Sequence, residues 1–314
     1  MTALLALTTV LAWGFWIPVA QAAPGVPQAT RTLLATVGNL GFAAAVLLLG
    51  GGHVDLTWRG FWFPLAGGVA WTAGSYSAFR AAELVGLARA SGSWTPLNIV
   101  VAFIWGGLLF GELNRFGPAQ LAALGAGLLL VLAGIGLIVR SRDDPEGGPA
   151  SGERPQGGPP GPLAPAAVGT AARYRRGLLL AGAAGLLWGS YFIPAQWAGE
   201  PAATTNFPLA LGILASGVAL AAAAGGPRSL SFRVTAAQLA AGVLFGIGNL
   251  ALLGLVARVG TGVGFTIAQL SLLINVSVGI FVFKVPRPGS HAAWMVLAGV
   301  LLAGAGGVVV GVLP

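Results

Sequence analysis

LLWGSYFIPAQW, residues 186–197, is spelled a second time near the start of the chain as LAWGFWIPVAQ, residues 11–21. Both copies set a Trp-Gly pair (Trp13-Gly14, Trp188-Gly189) ahead of aromatics, an Ile-Pro step and a Gln, inside an apolar run long enough to cross a bilayer. A second correspondence lies at nearly the same offset. Gly68, Val69, Gly74, Val85 and Gly86 fall on Gly242, Val243, Gly248, Val259 and Gly260 without a gap. A period of half the chain is far longer than a solenoid repeat and is the pattern of a duplicated transporter.

The composition agrees. Of 314 residues 56% are hydrophobic and 8% charged, and the mean hydropathy is +0.85, which excludes an ordinary globular protein. The net charge of +8 is spread over single and paired basic residues at the ends of apolar runs, with one central cluster. That distribution sets membrane orientation and is no nucleic-acid footprint. With no cysteine there is neither a disulfide nor a thiolate site, and His53 and His291 are too few for a metal cluster.

Runs of about twenty apolar residues predict ten spans, near 2–21, 32–50, 60–80, 88–110, 118–139, 176–197, 206–225, 235–256, 261–283 and 291–312. The first is kept as a membrane helix rather than a signal peptide, because no basic region precedes it and it recurs mid-chain. Residues 141–174 hold seven prolines, seven glycines and four of the eight acids. Such a segment buries too little apolar surface to offset its ordering entropy, so a disordered linker is expected there. It divides the chain into a first repeat, 1–140, and a second, 175–314. Five spans per half is odd, so the second half enters the membrane upside down. The expected fold is an all-α polytopic membrane protein of ten transmembrane helices in two inverted five-helix repeats, the arrangement that supports alternating access. Thirteen Lys and Arg residues fall on the linker side against Arg59, Arg115 and Arg258 on the other, which puts the linker in the cytoplasm and both termini outside the cell membrane.

An enzyme needs a positioned nucleophile and base, or a metal. Outside the linker the acids are Asp55, Glu83, Glu112 and Glu200, all near span ends, so the chain does not read as an enzyme and no cofactor or metal is expected. The span interiors carry neutral polar and aromatic groups instead: Trp13 and Trp16; Ser75 and Tyr76; Trp94 and Asn98; Trp188, Tyr191 and Gln196; Asn249; Gln269 and Asn275. In hydrocarbon an amide must bond a neighbouring helix or line a wet cavity. These groups concentrate on spans one, three, four, six, eight and nine, while spans two, five, seven and ten look almost purely apolar. Six helices around a cavity for a neutral polar solute follow. Amides pair hydroxyls and aromatic faces cover the C–H face of a sugar. Arg80, Arg89 and Arg258 read as snorkelling end residues. Pro18, Pro96 and Pro194 would bend the spans that hold them. Ala123 with Gly127, and Gly307 with Gly311, offer close helix faces.

Three stretches, WGSYFIPAQ at 188–196, TPLNIVVAFIWGGLLFGE at 95–112 and GNLALLGLVARVGTGVGFTIAQLSLLINVSVGIFVFK at 248–284, resemble the glucose/ribose porter family of the drug/metabolite transporter superfamily. The resemblance covers the chain apart from the linker. It implies sugar uptake, often proton-coupled, through a cavity among the same six spans. Glu112 matches the acid that closes the fourth span in this superfamily; in the second repeat Val285 follows Lys284, where relatives carry Glu. Proton coupling, if present, falls to Glu83 or Glu112. The alternatives are an exporter of drugs or amino acids on the same fold, and a membrane receptor or scaffold that works through its linker.

Overall fold

The computed structural model describes residues 1–50, 57–141 and 171–311. Among them the chain is helical with no strand: α1 (Thr2–Gln21), α2 (Gln28–Leu49), α3 (Trp58–Val85), α4 (Leu87–Phe110), α5 (Pro118–Arg140), α6 (Ala171–Trp188), α7 (Ile193–Trp197), α8 (Ala202–Ala223), α9 (Phe232–Val259), α10 (Thr261–Ala268), α11 (Ser271–Ser277) and α12 (His291–Gly311). Nine spans among the described residues are long and apolar enough to cross a membrane, counting α6 with α7 and α10 with α11 as one span each. The tenth predicted span is α3, 28 residues with Arg59, Arg80 and Glu83 near its ends. Leu4, Leu7, Leu11 and Phe15 point outward on α1 while Trp13, Trp16 and Ile17 point inward. A large apolar outer face, costly in water, suits a hydrocarbon surround.

Two expected spans are not continuous helices. The sixth breaks between α6 and α7 at residues 189–192, immediately before Pro194, where a missing N–H costs nothing in a first turn. The ninth breaks at Gln269–Leu270 and ends in a π-type turn, Val278–Val282. Continuous apolarity hides such breaks, because backbone groups freed inside a bundle are satisfied by neighbours rather than by polar sequence.

The helices approach through glycine, and the approaches repeat with the sequence offset of 174. A Cβ on Gly38 would collide with the Leu239 carbonyl, and one on Gly212 with the Leu65 carbonyl; Gly212 follows Gly38 by 174 residues, as Leu239 follows Leu65. Gly68 meets the Leu209 carbonyl as Gly242 meets that of Ala35. Thus α3 seats on α8 as α9 seats on α2. Gly86 (φ 84°) and Gly260 (φ 87°) are the single residues between α3 and α4 and between α9 and α10; at this positive φ a Cβ is strained, so the two sharp helix–helix corners require glycine. The α5–α12 seam runs through Gly134 against Gly299 and through Gly306 against the Gly127 carbonyl, one residue away from the expected Gly307.

Several expectations are corrected at the edges. Spans two and seven are not purely apolar: α2 buries Thr30, Arg31, Thr32, Thr36 and Asn39, and α8 buries Thr205 and Asn206. Arg89 does not snorkel. It is 2% exposed and donates through Nε to the Ser141 carbonyl at 2.8 Å. Ser141 and Tyr174, placed in the linker by composition, are packed, Tyr174 donating to the Val139 carbonyl at 2.9 Å. Residues 171–174 of that segment already belong to α6, and 142–170 lie outside the described residues, as do His53 and Asp55. Arg258 is exposed at its helix end, as expected.

Candidate functional site

At the centre, Trp16 and Trp71 tilt against each other at 5.7 Å, and Phe245 lies 4.3 Å from Trp71 and 5.4 Å from Trp16. Trp188 joins them at 5.7 Å from Trp16, with Trp94 edge-on to it at 5.5 Å. Such offset and edge geometries are those aromatic rings prefer. Over this floor lies a small cavity with about 30 Å³ of free volume. Each of the six expected spans contributes: α1 through Trp13, Trp16 and Ile17, α3 through Trp71, α4 through Trp94, Thr95 and Asn98, and α6 with its connector through Trp188 and Tyr191. The second-half spans add Phe245 from α9 and Phe265, Gln269, Ser271 and Asn275 from α10 and α11.

The polar lining is neutral. Asn98 and Gln269 face each other at 3.4 Å. Turning the Asn98 amide over lets its nitrogen donate to the Trp94 and Gly185 carbonyls at 3.2 and 2.6 Å, and we adopt that orientation. Its oxygen then faces Gln269. Asn275 Nδ2 donates to the Ser271 carbonyl at 3.1 Å and to that of Trp13 at 3.4 Å, while its Oδ1 is buried without a partner. Behind the lining a relay holds Tyr191. Its hydroxyl donates to Asn249 Oδ1 at 2.7 Å, and Asn249 Nδ2 donates to Asn206 Oδ1 at 3.1 Å.

Of the candidate residues, Trp13, Trp94, Asn98, Trp188, Tyr191, Gln269 and Asn275 line the cavity. Asn249 stands one bond behind it. Ser75 is fully buried on α3 outside the lining, its hydroxyl unpaired, and Tyr76 is half-buried away from it. Gln196 lies at one end of the bundle, where Nε2 donates to Thr261 Oγ1. Residue type alone does not separate these positions, since a buried amide serves a helix contact as readily as a cavity. Missing from the candidates were Ile17, Trp71, Phe245, Phe265, Ser271 and the relay's Asn206, while Thr95, the offset mate of Gln269, does line the cavity. Trp71 and Phe245 were detectable in one way: they are 174 residues apart, like the glycines around them.

The two acids of interest already have partners. Glu112 accepts from the backbone N–H groups of Thr261 (2.8 Å) and Gly262 (3.1 Å), so a carboxylate from the end of α4 caps the N-terminus of α10. At the opposite end Glu83 pairs with Arg80 on the surface. Among the described residues no carboxylate lines the cavity.

Membrane-length helices around an aromatic cavity, with no charged residue in its described lining, are the arrangement of a membrane transporter. The chain belongs to the sugar transport protein family, whose profile matches residues 4–151 and 166–313. It is similar to "Putative sugar uptake protein lin0215" of Listeria innocua serovar 6a, 23% identical over 99% of each chain. It is also similar to "Putative ribose uptake protein RbsU" of Staphylococcus aureus, 30% identical over 44% of this chain and 46% of that one. A solved structure entitled "Crystal structure of protein" has the same fold, with a TM-score of 0.61 and 19% identity, covering 98% of this chain and 96% of the other. The protein is therefore a multi-pass membrane sugar transporter and not an enzyme.

Proposed function

We propose that the protein moves one monosaccharide at a time by alternating access, with residues 1–140 and 175–314 as inverted repeats that exchange the roles of inner and outer gate. The observation that carries this reading is the reciprocal seating of Gly38 on Leu239 and Gly212 on Leu65, in which each half grips the other by the same residues. Two like half-structures meeting around one site can close either end at similar energy. The ribose uptake protein among the relatives favours a monosaccharide over an oligosaccharide.

In this reading the tryptophans stack on the sugar's C–H face. Gln269 and Asn275 pair its hydroxyls, and Tyr191, held by Asn249 and Asn206, fixes the cavity wall. Glu112 acts as a latch between α4 and α10, and Glu83 stays at the surface with Arg80, so neither carries a coupling proton. The linker faces the cytoplasm of the cell membrane and both termini face outward.

Uptake and binding by purified protein, tested against sugars, amino acids and cationic drugs, decide the substrate class. Saturable exchange of a pentose or hexose, uncompeted by the other classes, is expected. Exchange of amino acids or drugs instead would favour the exporter alternative. A reporter fused after Pro314 should report the external side and one inserted at Gly158 the cytoplasm; the reverse would overturn the orientation alone.

A further inference from the structure

One face of α3 leads out of the cavity. Trp71, Ser75, Phe79 and Glu83 follow one another at four-residue spacing, which stacks them along a single helical stripe. Trp71 lines the cavity and Glu83 reaches the surface. Phe79, between them, touches Trp16 edge-on at 5.6 Å on one side and carries the guanidinium of Arg31 over its ring at 5.8 Å on the other.

Opposite this stripe lies a concentration of buried polar atoms without partners. Arg31 is 2% exposed; Nη2 donates to the Ala23 carbonyl at 3.0 Å, but Nε and Nη1 have no partner. Gln21 Nε2, two residues before Ala23, is equally unpaired, as are Thr32 Oγ1 next to Arg31 and, on the stripe itself, Ser75 Oγ. Gln238 closes the corner by donating to the Ala20 carbonyl at 3.0 Å, leaving its own oxygen unpaired. A buried polar group without a partner is costly, more so when charged. Open donors of this kind suit a species that fills them for part of the working cycle.

The matching stripe of α9 has no such surplus. Shifted by 174, Trp71, Ser75, Phe79 and Glu83 become Phe245, Asn249, Leu253 and Ala257, and Arg31 becomes Thr205. There Asn249 is fully engaged by Tyr191 and Asn206. Among these matched positions the unpaired donors lie on the Arg31 side; elsewhere Trp13 Nε1, Thr266 Oγ1 and Gln196 Oε1 are also unpaired.

We infer that the Arg31 corner is a second station for the transported solute, occupied when the Trp16–Phe79 contact parts, at which polyhydroxylic oxygens accept hydrogen bonds from Arg31 Nε and Nη1 and Gln21 Nε2. The inference rests on the sugar reading above. The station sits one aromatic layer from the cavity, beyond Ser75 on the way out toward Glu83.

The test uses full-length protein in liposomes, with D-ribose, D-glucose and their monodeoxy forms as probes. Arg31→Met keeps the stem on Phe79 and removes the donors. It should slow sugar exchange at least tenfold, more than it weakens equilibrium binding, and should erase part of the rate difference between a parent sugar and one of its deoxy forms. Ser75→Ala removes an unpaired hydroxyl, so thermal stability should stay level or rise while exchange slows. This second variant, with Arg31→Lys, carries the test if Arg31→Met does not fold.

Exchange unaltered in Arg31→Met, or in both Ser75→Ala and Arg31→Lys, would overturn the station. So would equal slowing by Arg31→Met and Glu83→Gln with no further loss in the double variant, because Arg31 would then serve only as a gate partner for Glu83. A wild-type protein that exchanges none of these sugars would instead refute the substrate reading, and the station with it.

Discussion

Replacing Glu112 tests whether an acid at a span end is a latch or a proton carrier. Its two oxygens accept at 2.8 and 3.1 Å from the first backbone N–H groups of α10, and Thr261 is fully buried. Glu112→Gln keeps one carbonyl oxygen and turns an NH₂ toward the other donor, so one charge-assisted bond of about 1.5–3 kcal/mol is lost. The charge at the helix N-terminus is worth about 0.3–1 kcal/mol more. Glu112→Ala loses both bonds, about 3–6 kcal/mol by the same measure. Thermal unfolding followed by tryptophan fluorescence should therefore rank wild type above Glu112→Gln above Glu112→Ala, with several degrees between steps. The response of uptake to an imposed proton gradient should not differ between wild type and Glu112→Gln. The latch would be refuted by a Glu112→Gln protein that melts with wild type, keeps counterflow, and loses gradient-driven accumulation.

Three further outcomes follow from the packing. Asn249→Ala strands the Tyr191 hydroxyl and the Asn206 oxygen, at about 1–3 kcal/mol, so sugar affinity measured by calorimetry should fall by about tenfold, and Tyr191→Phe in the same background should add little. Gln269→Ala touches the cavity directly and should weaken binding by up to about tenfold with an unchanged melting temperature; unchanged affinity would assign Gln269 to helix contact. Gly242→Ala and Gly212→Ala drive a Cβ into the carbonyls of Ala35 and Leu65 and should destabilise by about 1–3 kcal/mol or more, whereas Gly182→Ala and Gly304→Ala, with nothing within 4 Å, should be neutral or stabilising in the same melts.

The architecture was legible because it is written in glycine. Gly68 and Gly242 recur in the sequence for the reason they recur in the structure, since a backbone-to-backbone approach admits no other side chain. The cavity was legible at the level of helices, because Trp13, Trp94, Asn98, Trp188 and Gln269 sit mid-span where polarity needs a wet or bonded setting. Single positions were not. Ser75 and Asn249 correspond by offset, yet one is unpaired and the other is bound by Tyr191 and Asn206. That difference depends on Asn206, one of the few polar residues of α8. The interruption at 269–270 left no mark either, since neither proline nor glycine occupies it. Arg89 looked like an end residue by position, but it is buried and bonds the Ser141 carbonyl.

The one-residue corner at Gly86 also has a mechanical meaning. A helix of 24 residues such as α4 is about 36 Å long at 1.5 Å per residue. If α4 swings about that corner, a rotation of roughly 10° carries its far tip about 6 Å, a distance comparable to the width of a sugar ring. The tip is where Glu112 grips α10. Pivot and clasp thus occupy opposite ends of one rod: small dihedral changes at a residue without a side chain become a displacement the size of the cargo, and two hydrogen bonds at the point of greatest leverage hold it in place.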